Sequence, residues 1–217
     1  MITILMPIYN GIEFIDESVS SIIKQTYLDW ELIMGINGHP ENSEVYKIAK
    51  KYEEKDKRIK VYDLPQNIKG KSESLNKMLA YSNFNWISLL DVDDKWLNTK
   101  LSSQISYMNE FDVIGTRCKY FGDSDVIPYI PVGNITKFNF LLVNPVINSS
   151  CLLKKELCYW NGDLNLEDYD LWLRLRKDNK KFFNVPDIQV LHRIHQESAF
   201  NAKGNNLYVN KLKEKYL

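Results

Sequence analysis

The sequence predicts an α/β protein with a doubly wound, mostly parallel sheet and helices on both faces of that sheet. Short apolar runs alternate with segments of helical periodicity through the first half of the chain, which is typical of this class. The length of 217 residues suits one large domain with a well-buried core. No linker divides the chain, so we predict a single domain over residues 1–200 and a polar tail or helix over residues 201–217.

The first half of the chain contains four predicted strands, each a short apolar run that ends at polar or turn-forming residues. They are expected at residues 2–6, 30–36, 58–62 and 86–90, with Pro7 ending the first. Helices are expected between them at residues 12–23, 43–55 and 72–81, where apolar residues recur at helical spacing. Strands linked by helices favour parallel pairing with right-handed crossovers.

The pattern loosens in the second half of the chain. Helices are expected at residues 97–108, 135–143 and 167–176, and strands at residues 113–117, 149–153 and 188–192. The segment 122–133 contains two prolines and is expected to be a loop.

Composition excludes several classes of protein. Lys plus Arg and Asp plus Glu each number 28, so the chain lacks the basic excess of a nucleic-acid binder. Three cysteines are too few for a disulfide framework, and we expect them to be reduced thiols in a cytoplasmic protein. No apolar run approaches the roughly 18 residues of a membrane span, and the first residues read as a core strand, so no signal peptide is expected.

Polar residues follow several of the predicted parallel strands. They form three groups, at residues 7–10 (including Pro7, Tyr9 and Asn10), at residues 37–39 (including Asn37) and at residues 91–94. Parallel α/β sheets bind ligands beyond the carboxyl ends of their strands. These groups are therefore expected to gather at one edge and form a binding site.

The strongest chemical signal is the run of carboxylates after the fourth strand. In an extended chain Asp91 and Asp93 would share a face, and their repulsion would be relieved by a divalent cation such as Mg²⁺ or Mn²⁺. The alternative is a solvated acidic turn before the next helix, and spacing alone does not decide between them.

A second acidic cluster begins the helix predicted at residues 167–176. Carboxylates such as Glu167 complement a helix N-terminus, and that alone is a sufficient explanation for them. Asp168, however, shares a helix face with Leu171, Trp172 and Leu175. A carboxylate held against the core at a helix start is a candidate general base.

Two further features carry weaker signals. His195 is a candidate ligand for a metal or for phosphate oxygen, whereas His192 is expected to be a hydrogen-bonding histidine at the edge of the core. Lys69 and Lys71 lie in a glycine-containing turn before a helix, which suits a phosphate but lacks P-loop spacing.

Taken in chain order, these segments resemble glycosyltransferase family 2, which has the GT-A fold. The resemblance rests on residues 6–11 (Met-Pro-Ile-Tyr-Asn-Gly), 25–33, 69–76, 90–94 (Leu-Asp-Val-Asp-Asp), 144–150, 167–174 (Glu-Asp-Tyr-Asp-Leu-Trp-Leu-Arg) and 193–195. It extends over residues 2–200. An Asp-x-Asp motif is weak alone, but several motifs in the family's order are specific.

The resemblance implies an inverting glycosyltransferase that uses a nucleotide-diphosphate sugar and Mn²⁺ or Mg²⁺. It implies that the donor is bound by Pro7, Tyr9, Asn10, Asn37, Lys69, Lys71, Asp91 and Asp93. It implies metal binding by Asp93 and Asp91 with His195, and catalysis by Asp168 as base with Glu167. The implied acceptor is a glycan or lipid-linked glycan, which leaves room for peripheral membrane contact, and oligomeric state is left open.

The chain departs from the family at residues 35–39, where Ile36 replaces the acid that usually reads the nucleotide base. We therefore expect a weak choice among bases, below about 100-fold between UDP and GDP, because an apolar wall discriminates poorly. The same departure motivates an alternative, an inactive protein that binds nucleotide or glycan. A less favoured alternative is a phosphotransferase of the haloacid dehalogenase type, whose Asp-x-Asp usually lies near the N-terminus.

Overall fold

The computed structural model describes residues 1–163, 166–196 and 205–217. Its strands are β1 (Ile2–Ile8), β2 (Trp30–Ile36), β3 (Ile59–Asp63), β4 (Trp86–Leu89), β5 (Lys95–Trp96), β6 (Val113–Gly122), β7 (Gly133–Asn134), β8 (Leu152–Lys154) and β9 (Phe182–Ile194). Its α-helices are α1 (Ile15–Ile23), α2 (Glu44–Lys55), α3 (Gly70–Met78), α4 (Lys100–Ile105), α5 (Glu167–Lys177) and α6 (Asn205–Glu214).

The strands described form one mixed sheet in the order β3-β2-β1-β4-β8-β6-β9-β5, with β7 paired to β9. Strands β1 to β4 pair in parallel, and β6 pairs in parallel with β9. Strand β8 runs antiparallel to both of its neighbours, β4 and β6. The carboxyl ends of β1, β2, β4, β6 and β9 therefore lie at the same edge of the sheet, which confirms the predicted fold class.

The two faces of the sheet carry separate hydrophobic cores. One core contains Ile4 and Met6 of β1 with buried side chains of α1, α2 and α4. The other contains Leu5 of β1 with buried side chains of α3, α5 and α6. The alternation of β1 side chains between the two cores follows from the period-two geometry of a strand. Helices on both faces are thus confirmed.

Pro7 does not end the first strand, which continues to Ile8. Leu90 N donates to Leu5 O, so the backbone groups of Leu5 point toward β4. Pro7, two residues later, has the same orientation. Strand β4 pairs with β1 only from Thr3 to Leu5, so no ladder bond is lost where the proline lacks its N–H.

The helix predicted at residues 135–143 is wrong, because that segment forms turns. Asn134 Oδ1 accepts a hydrogen bond from Thr136 N, and Asn139 Oδ1 accepts one from Leu141 N. These local bonds occupy backbone donors that a helix would need. The strand predicted at residues 149–153 begins instead with a 3₁₀ turn at Asn148–Ser150, and β8 follows it.

The C-terminal part of the chain packs against the domain. Residues 201–204 of the predicted tail lie outside the described residues, and α6 follows them. Leu212 is buried in the core beside α5, and Lys215 Nζ lies 2.9 Å from Asp170 Oδ1. The domain boundary at residue 200 stays a prediction. No helix in the described part of the chain is long and apolar enough to cross a membrane.

One buried charge stands out in this fold. Lys100 of α4 is fully buried, and its Nζ donates to Ser88 Oγ at 2.6 Å and to Cys151 O at 3.3 Å. The ammonium lies 3.9 Å from the centre of the Trp96 ring. Burial lowers the pKa of Lys100 to about 7, because no carboxylate among the described residues compensates for the loss of water.

We expect the free energy of unfolding to rise between about pH 7 and pH 10 because of Lys100. The unfolded chain keeps the lysine proton up to about pH 10, whereas native Lys100 releases it near pH 7, so unfolding takes up a proton in this window. Lys100→Met should lack this contribution. The free energy of unfolding of the variant minus that of the wild type should therefore fall by on the order of 2 to 4 kcal/mol from pH 7 to pH 10.

Urea unfolding at several pH values measures that difference. Lys51→Met, at an exposed position on α2, is the matched control and should follow the wild type at every pH. Parallel curves for Lys100→Met and wild type between pH 7 and pH 10 would contradict the expectation.

Candidate active site

A cavity of about 600 Å³ opens at the carboxyl ends of β1, β2 and β4. It is lined by Pro7, Tyr9, Asn10, Gly11, Glu13, Asn37, Gly38, Gln66, Ile68, Lys69, Gly70, Lys71, Asp91, Val92, Asp93, His192 and His195. All eight residues predicted for the donor lie in this wall, and so does His195. The three polar groups that follow parallel strands are therefore brought together at one edge.

The first carboxylate of the Asp-x-Asp motif is held by three contacts. Asp91 Oδ1 lies 2.6 Å from Lys71 Nζ, Asp91 Oδ2 accepts from Asn148 Nδ2 at 3.0 Å, and Asp91 N donates to Ser149 Oγ at 3.1 Å. Burial raises the pKa of Asp91, but Lys71 and Asn148 outweigh it and hold the pKa below its ordinary value. Asp91 is therefore ionised at neutral pH.

Asp93 has a different environment, although it lines the same cavity. Its Oδ2 lies 3.1 Å from His195 Nε2. Burial and the neighbouring Asp94 and Asp91 carboxylates raise the pKa of Asp93. Residues 91–94 form a turn, with Asp94 N donating to Asp91 O, so the two acids reach the cavity without the strand alternation that the sequence suggested.

The third acid of the cluster, Asp94, links this turn to β9. It is almost fully buried, and it accepts bonds from Arg193 N at 2.8 Å and pairs with His192 Nδ1 at 3.0 Å. Burial lowers the pKa of His192, but the Asp94 carboxylate outweighs it and raises the pKa to about 9. Arg193 Nε also donates to Asp93 O, so the end of β9 fixes the turn from two sides.

Lys71 connects Asp91 of the Asp-x-Asp motif to the second acidic cluster. Its Nζ lies 2.6 Å from Asp91 Oδ1 and 3.7 Å from Glu167 Oε1. Burial lowers the pKa of Lys71, but the Asp91 and Glu167 carboxylates dominate and raise it above its ordinary value. Gly70, at φ 71°, allows the chain to turn into α3 immediately before this lysine.

Glu167 and Asp168 form the first turn of α5. Neither is among the residues that line the cavity, but Glu167 contacts Lys71 in the cavity wall. Asp168 Oδ2 accepts from Asn144 Nδ2 at 3.0 Å, and its Oδ1 accepts from Tyr169 N at 2.7 Å. Burial, with the neighbouring Glu167 carboxylate, raises the pKa of Asp168 to about 6, against the opposing effects of Asn144 and Lys71. Asp168 is thus more basic than a surface carboxylate and still mostly ionised at neutral pH.

The other end of the cavity is formed by Tyr9, Asn37 and Gly38. The Tyr9 ring is more than half exposed, and a Cβ on Gly38 would lie 2.4 Å from it. Gly38 also has φ 75°, so both its backbone and the ring next to it require glycine. Asn37 also lines the cavity, although the residue is only 4% exposed.

Ile36 does not face this cavity. It is the last residue of β2, it is fully buried, and it belongs to the core between the sheet and α1 and α2. The premise that Ile36 forms an apolar wall for the base is therefore wrong. The physical reason is register: successive residues of β2 alternate between faces, so the cavity receives Asn37 and the core receives Ile36.

The three predicted metal ligands do not form one ready-made group. Asp93 and His195 lie together, while both Asp91 oxygens are used by Lys71 and Asn148. Within residues 1–163, 166–196 and 205–217, no three His, Cys, Asp or Glu side chains are arranged to hold a metal ion. A carboxylate and an imidazole are nevertheless donors that suit Mn²⁺ when substrate phosphates complete the shell.

Sequence reasoning missed the contacts of Asn144 with Asp168 and of Asn148 with Asp91. Their partners lie 24 and 57 residues away, so no local pattern could have indicated them. It also missed Glu13, Gln66 and Ile68 as lining residues. His192 matches its expected role, since it hydrogen-bonds to Asp94 at the edge of the core.

Comparison with known sequences gives a clear family. The family model described as glycosyl transferase family 2 matches residues 3–183. The O-antigen biosynthesis glycosyltransferase WbnJ of Escherichia coli is 32% identical over 92% of this chain and 82% of its own length. WfgD of Escherichia coli, a UDP-Glc:α-D-GlcNAc-diphosphoundecaprenol β-1,3-glucosyltransferase, is 30% identical over 95% of this chain and 82% of its length.

Solved structures give the same fold. TarS 1–349 of S. aureus, in complex with UDP-GlcNAc, superposes with a TM-score of 0.77 at 17% identity over 93% of this chain. The mannosyltransferase PcManGT of Pyrobaculum calidifontis, in complex with GDP-Man and Mn²⁺, has a TM-score of 0.71 at 14% identity over 91% of this chain. This chain covers 60% of the TarS chain and 58% of the PcManGT chain. The fold is thus of the GT-A type, as the resemblance implied, and the chain belongs to glycosyltransferase family 2.

Proposed function

We propose that this glycosyltransferase is an inverting, metal-dependent enzyme that moves a sugar from a nucleotide diphosphate to an acceptor hydroxyl. The observation that carries the proposal is the Lys71 ammonium, which lies between Asp91 in the cavity and Glu167 at the start of α5. A cation there joins a site for a charged donor to a pair of carboxylates suited to proton transfer. Displacement of the nucleotide diphosphate in a single step requires the donor site and the base to lie within reach of the same anomeric carbon.

The donor is proposed to lie along the cavity, with its base toward Asn37 and its diphosphate toward Asp93. A volume of about 600 Å³ accommodates a ligand of nucleotide-sugar size. Lys69 and Lys71 supply positive charge near the diphosphate, and Pro7, Tyr9 and Asn10 line the wall at the end of β1. The relatives support a UDP-sugar, since WfgD is named for UDP-Glc and TarS was solved with UDP-GlcNAc.

The metal is proposed to be held by Asp93 and His195, with Asp91 nearby. A bound Mn²⁺ or Mg²⁺ offsets the charge that grows on the departing diphosphate. The raised pKa of Asp93 supports this position, because the crowded carboxylates around it gain from an added cation. The PcManGT structure, which contains GDP-Man and Mn²⁺, supports divalent metal use in this fold.

Asp168 is proposed as the base that takes the proton from the acceptor hydroxyl as the hydroxyl attacks. Its pKa of about 6 leaves it ionised at neutral pH and close enough to the working pH to be effective. Lys71 and Glu167 are proposed to orient the bound donor and the acceptor hydroxyl relative to one another.

The acceptor is proposed to be a glycan, and a lipid-linked diphosphate sugar is the form favoured by the name of WfgD. A cytoplasmic location and peripheral contact with a membrane are parts of the same proposal. The direct test is transfer from UDP-glucose to a GlcNAc-diphospholipid, together with hydrolysis of UDP-sugars, with and without Mn²⁺. Nucleotide binding without any turnover under these conditions would favour the inactive alternative.

Asp93→Ala is expected to weaken binding of UDP in the presence of Mn²⁺ by at least about 100-fold, because a metal ligand is lost. The fold should remain intact, since repulsion from Asp91 and Asp94 already disfavours the Asp93 carboxylate. Calorimetry with and without Mn²⁺ measures both effects. Glu54→Ala, at an exposed position on α2, is the control. Unchanged metal dependence in Asp93→Ala would remove this residue from the role.

Asp168→Asn is expected to lower kcat by at least about 100-fold, with donor affinity little changed, because only the proton acceptor is lost. The wild-type rate should rise with pH through about 6 as Asp168 ionises, and the variant should lack that rise. Asp178→Asn, at the exposed residue that caps the C-terminus of α5, is the control. Near wild-type turnover by Asp168→Asn at all pH values would shift the role to Glu167.

Asn37→Ala is expected to weaken UDP binding by about tenfold and to reduce the ratio between the dissociation constants for UDP and GDP. Asn37 is nearly buried and lines the cavity, and its amide both donates and accepts hydrogen bonds, so it can bond to a nucleotide base there. Dissociation constants for UDP, GDP, dTDP and CDP with saturating Mn²⁺ test this. A variant that keeps the wild-type ratio between bases would show that another group reads the base.

A further inference from the structure

An irregular segment, residues 144–151, runs between the cavity and α5. It contains the 3₁₀ turn Asn148–Ser150 and ends at β8. Because it lacks a strand or α-helix ladder, its buried carbonyl groups need other donors.

Side chains from several elements supply those donors. The bonds are Asn184 Nδ2 to Pro145 O at 2.8 Å, Trp172 Nε1 to Val146 O at 3.0 Å, Trp96 Nε1 to Ser149 O at 2.7 Å, Gln104 Nε2 to Ser150 O at 2.9 Å, and both Ser88 Oγ and Lys100 Nζ to Cys151 O at 2.6 and 3.3 Å. All of these donor side chains are buried. The segment is therefore fixed along its length by bonds that would be costly to leave unmade.

Two asparagines of this segment reach the two functional acids. Asn144 Nδ2 donates to Asp168 Oδ2, and Asn148 Nδ2 donates to Asp91 Oδ2, both at 3.0 Å. The Oδ1 atom of each is buried and has no hydrogen-bond partner among the described residues. An amide that leaves its oxygen unsatisfied is held by its nitrogen, so the bond to the carboxylate decides the orientation of both side chains.

We propose that Asn144 and Asn148 are positioning residues, and that the rigid 144–151 segment fixes the distance between the proposed base and the donor carboxylate. Asn148 holds one oxygen of Asp91, which leaves the other for Lys71. Asn144 holds one oxygen of Asp168 while Tyr169 N holds the other. One segment thus orients both ends of the reaction. This inference rests on the proposed function only for the chemistry it serves.

The two asparagines have separable effects. The Asn144 bond favours the ionised form of Asp168 and opposes burial, so its removal must make the acid harder to ionise. The Asn148 bond acts on Asp91, where loss of orientation must weaken donor binding. A segment that merely supported the fold would move both properties together.

The first arm measures the Asp168 carboxyl by ¹³C NMR titration of the full chain, with no substrate present. Asn144→Ala should raise the pKa of Asp168 by about one pH unit. Asn144→Asp keeps the side-chain shape but adds a negative charge, so it should raise the pKa further. Asn139→Ala, in the exposed turn before the segment, is the control and should leave the titration unchanged. An Asp168 pKa unchanged in both Asn144 variants overturns the role of Asn144, even if the fold is altered.

The second arm measures UDP binding with Mn²⁺ by calorimetry and the separate effects on KM and kcat. Asn148→Ala should weaken UDP binding and raise donor KM by about tenfold, with the Asp168 titration unchanged. Asn144→Ala should leave UDP binding unchanged and shift the acidic limb of the pH profile of kcat to higher pH. Equal effects of both variants on both properties overturn the division of roles.

Failure of the proposed function gives a different pattern. A wild-type protein that neither binds UDP with Mn²⁺ nor turns over a UDP-sugar contradicts that function. The NMR arm still decides whether Asn144 controls Asp168. Unchanged UDP affinity in Asn148→Ala, in a wild type that does bind UDP, overturns the role of Asn148 alone.

Discussion

The site depends on one cation held among carboxylates. Without the Lys71 ammonium, Asp91 and Glu167 would be partly buried carboxylates without the cation between them, and like charges disfavour each other's ionisation. Burial alone would lower the pKa of Lys71, and the carboxylates reverse that effect. The ammonium therefore ties α3 to the end of β4 and to α5, so ion pairs join the elements around the cavity in addition to apolar packing.

The other two acids of the turn after β4, Asp93 and Asp94, are contacted by β9 and the residue that follows it. Asp94 is buried against His192 and the Arg193 backbone, which neutralises it and anchors the turn after β4. Asp93 is different, because burial and the two neighbouring carboxylates raise its pKa, and its side-chain neighbour His195 opposes them. Positive charge from the protein thus favours ionisation of Asp91, while Asp93 remains the carboxylate that gains most from a further cation. That difference could not be inferred from the spacing of the motif.

Much of the fold was predictable because its signals are local. The apolar run of β2 and the helical periodicity of α5 each depend on a few consecutive residues, and both elements have nearly the predicted bounds. The meeting of the residues predicted to bind the sugar donor at one edge of the sheet followed from its parallel topology. The turns at 135–143 were not predictable, because two asparagine side chains capture backbone donors there. The contacts of Asn144 and Asn148 depend on partners far away in the sequence, which no periodicity encodes.

The position of Asp168 shows why the long-range contacts matter to the chemistry. Burial makes this carboxylate more basic, and without opposing partners burial would raise its pKa further and disfavour the ionised form that the proposed base requires. Lys71 and Asn144 oppose that effect from separate elements, so the resulting pKa of about 6 is a balance between desolvation and two fixed partners. Such a balance requires partners that cannot move away. The buried side chains that bond residues 144–151 meet this requirement, because rotation of the segment would leave several carbonyl groups without donors.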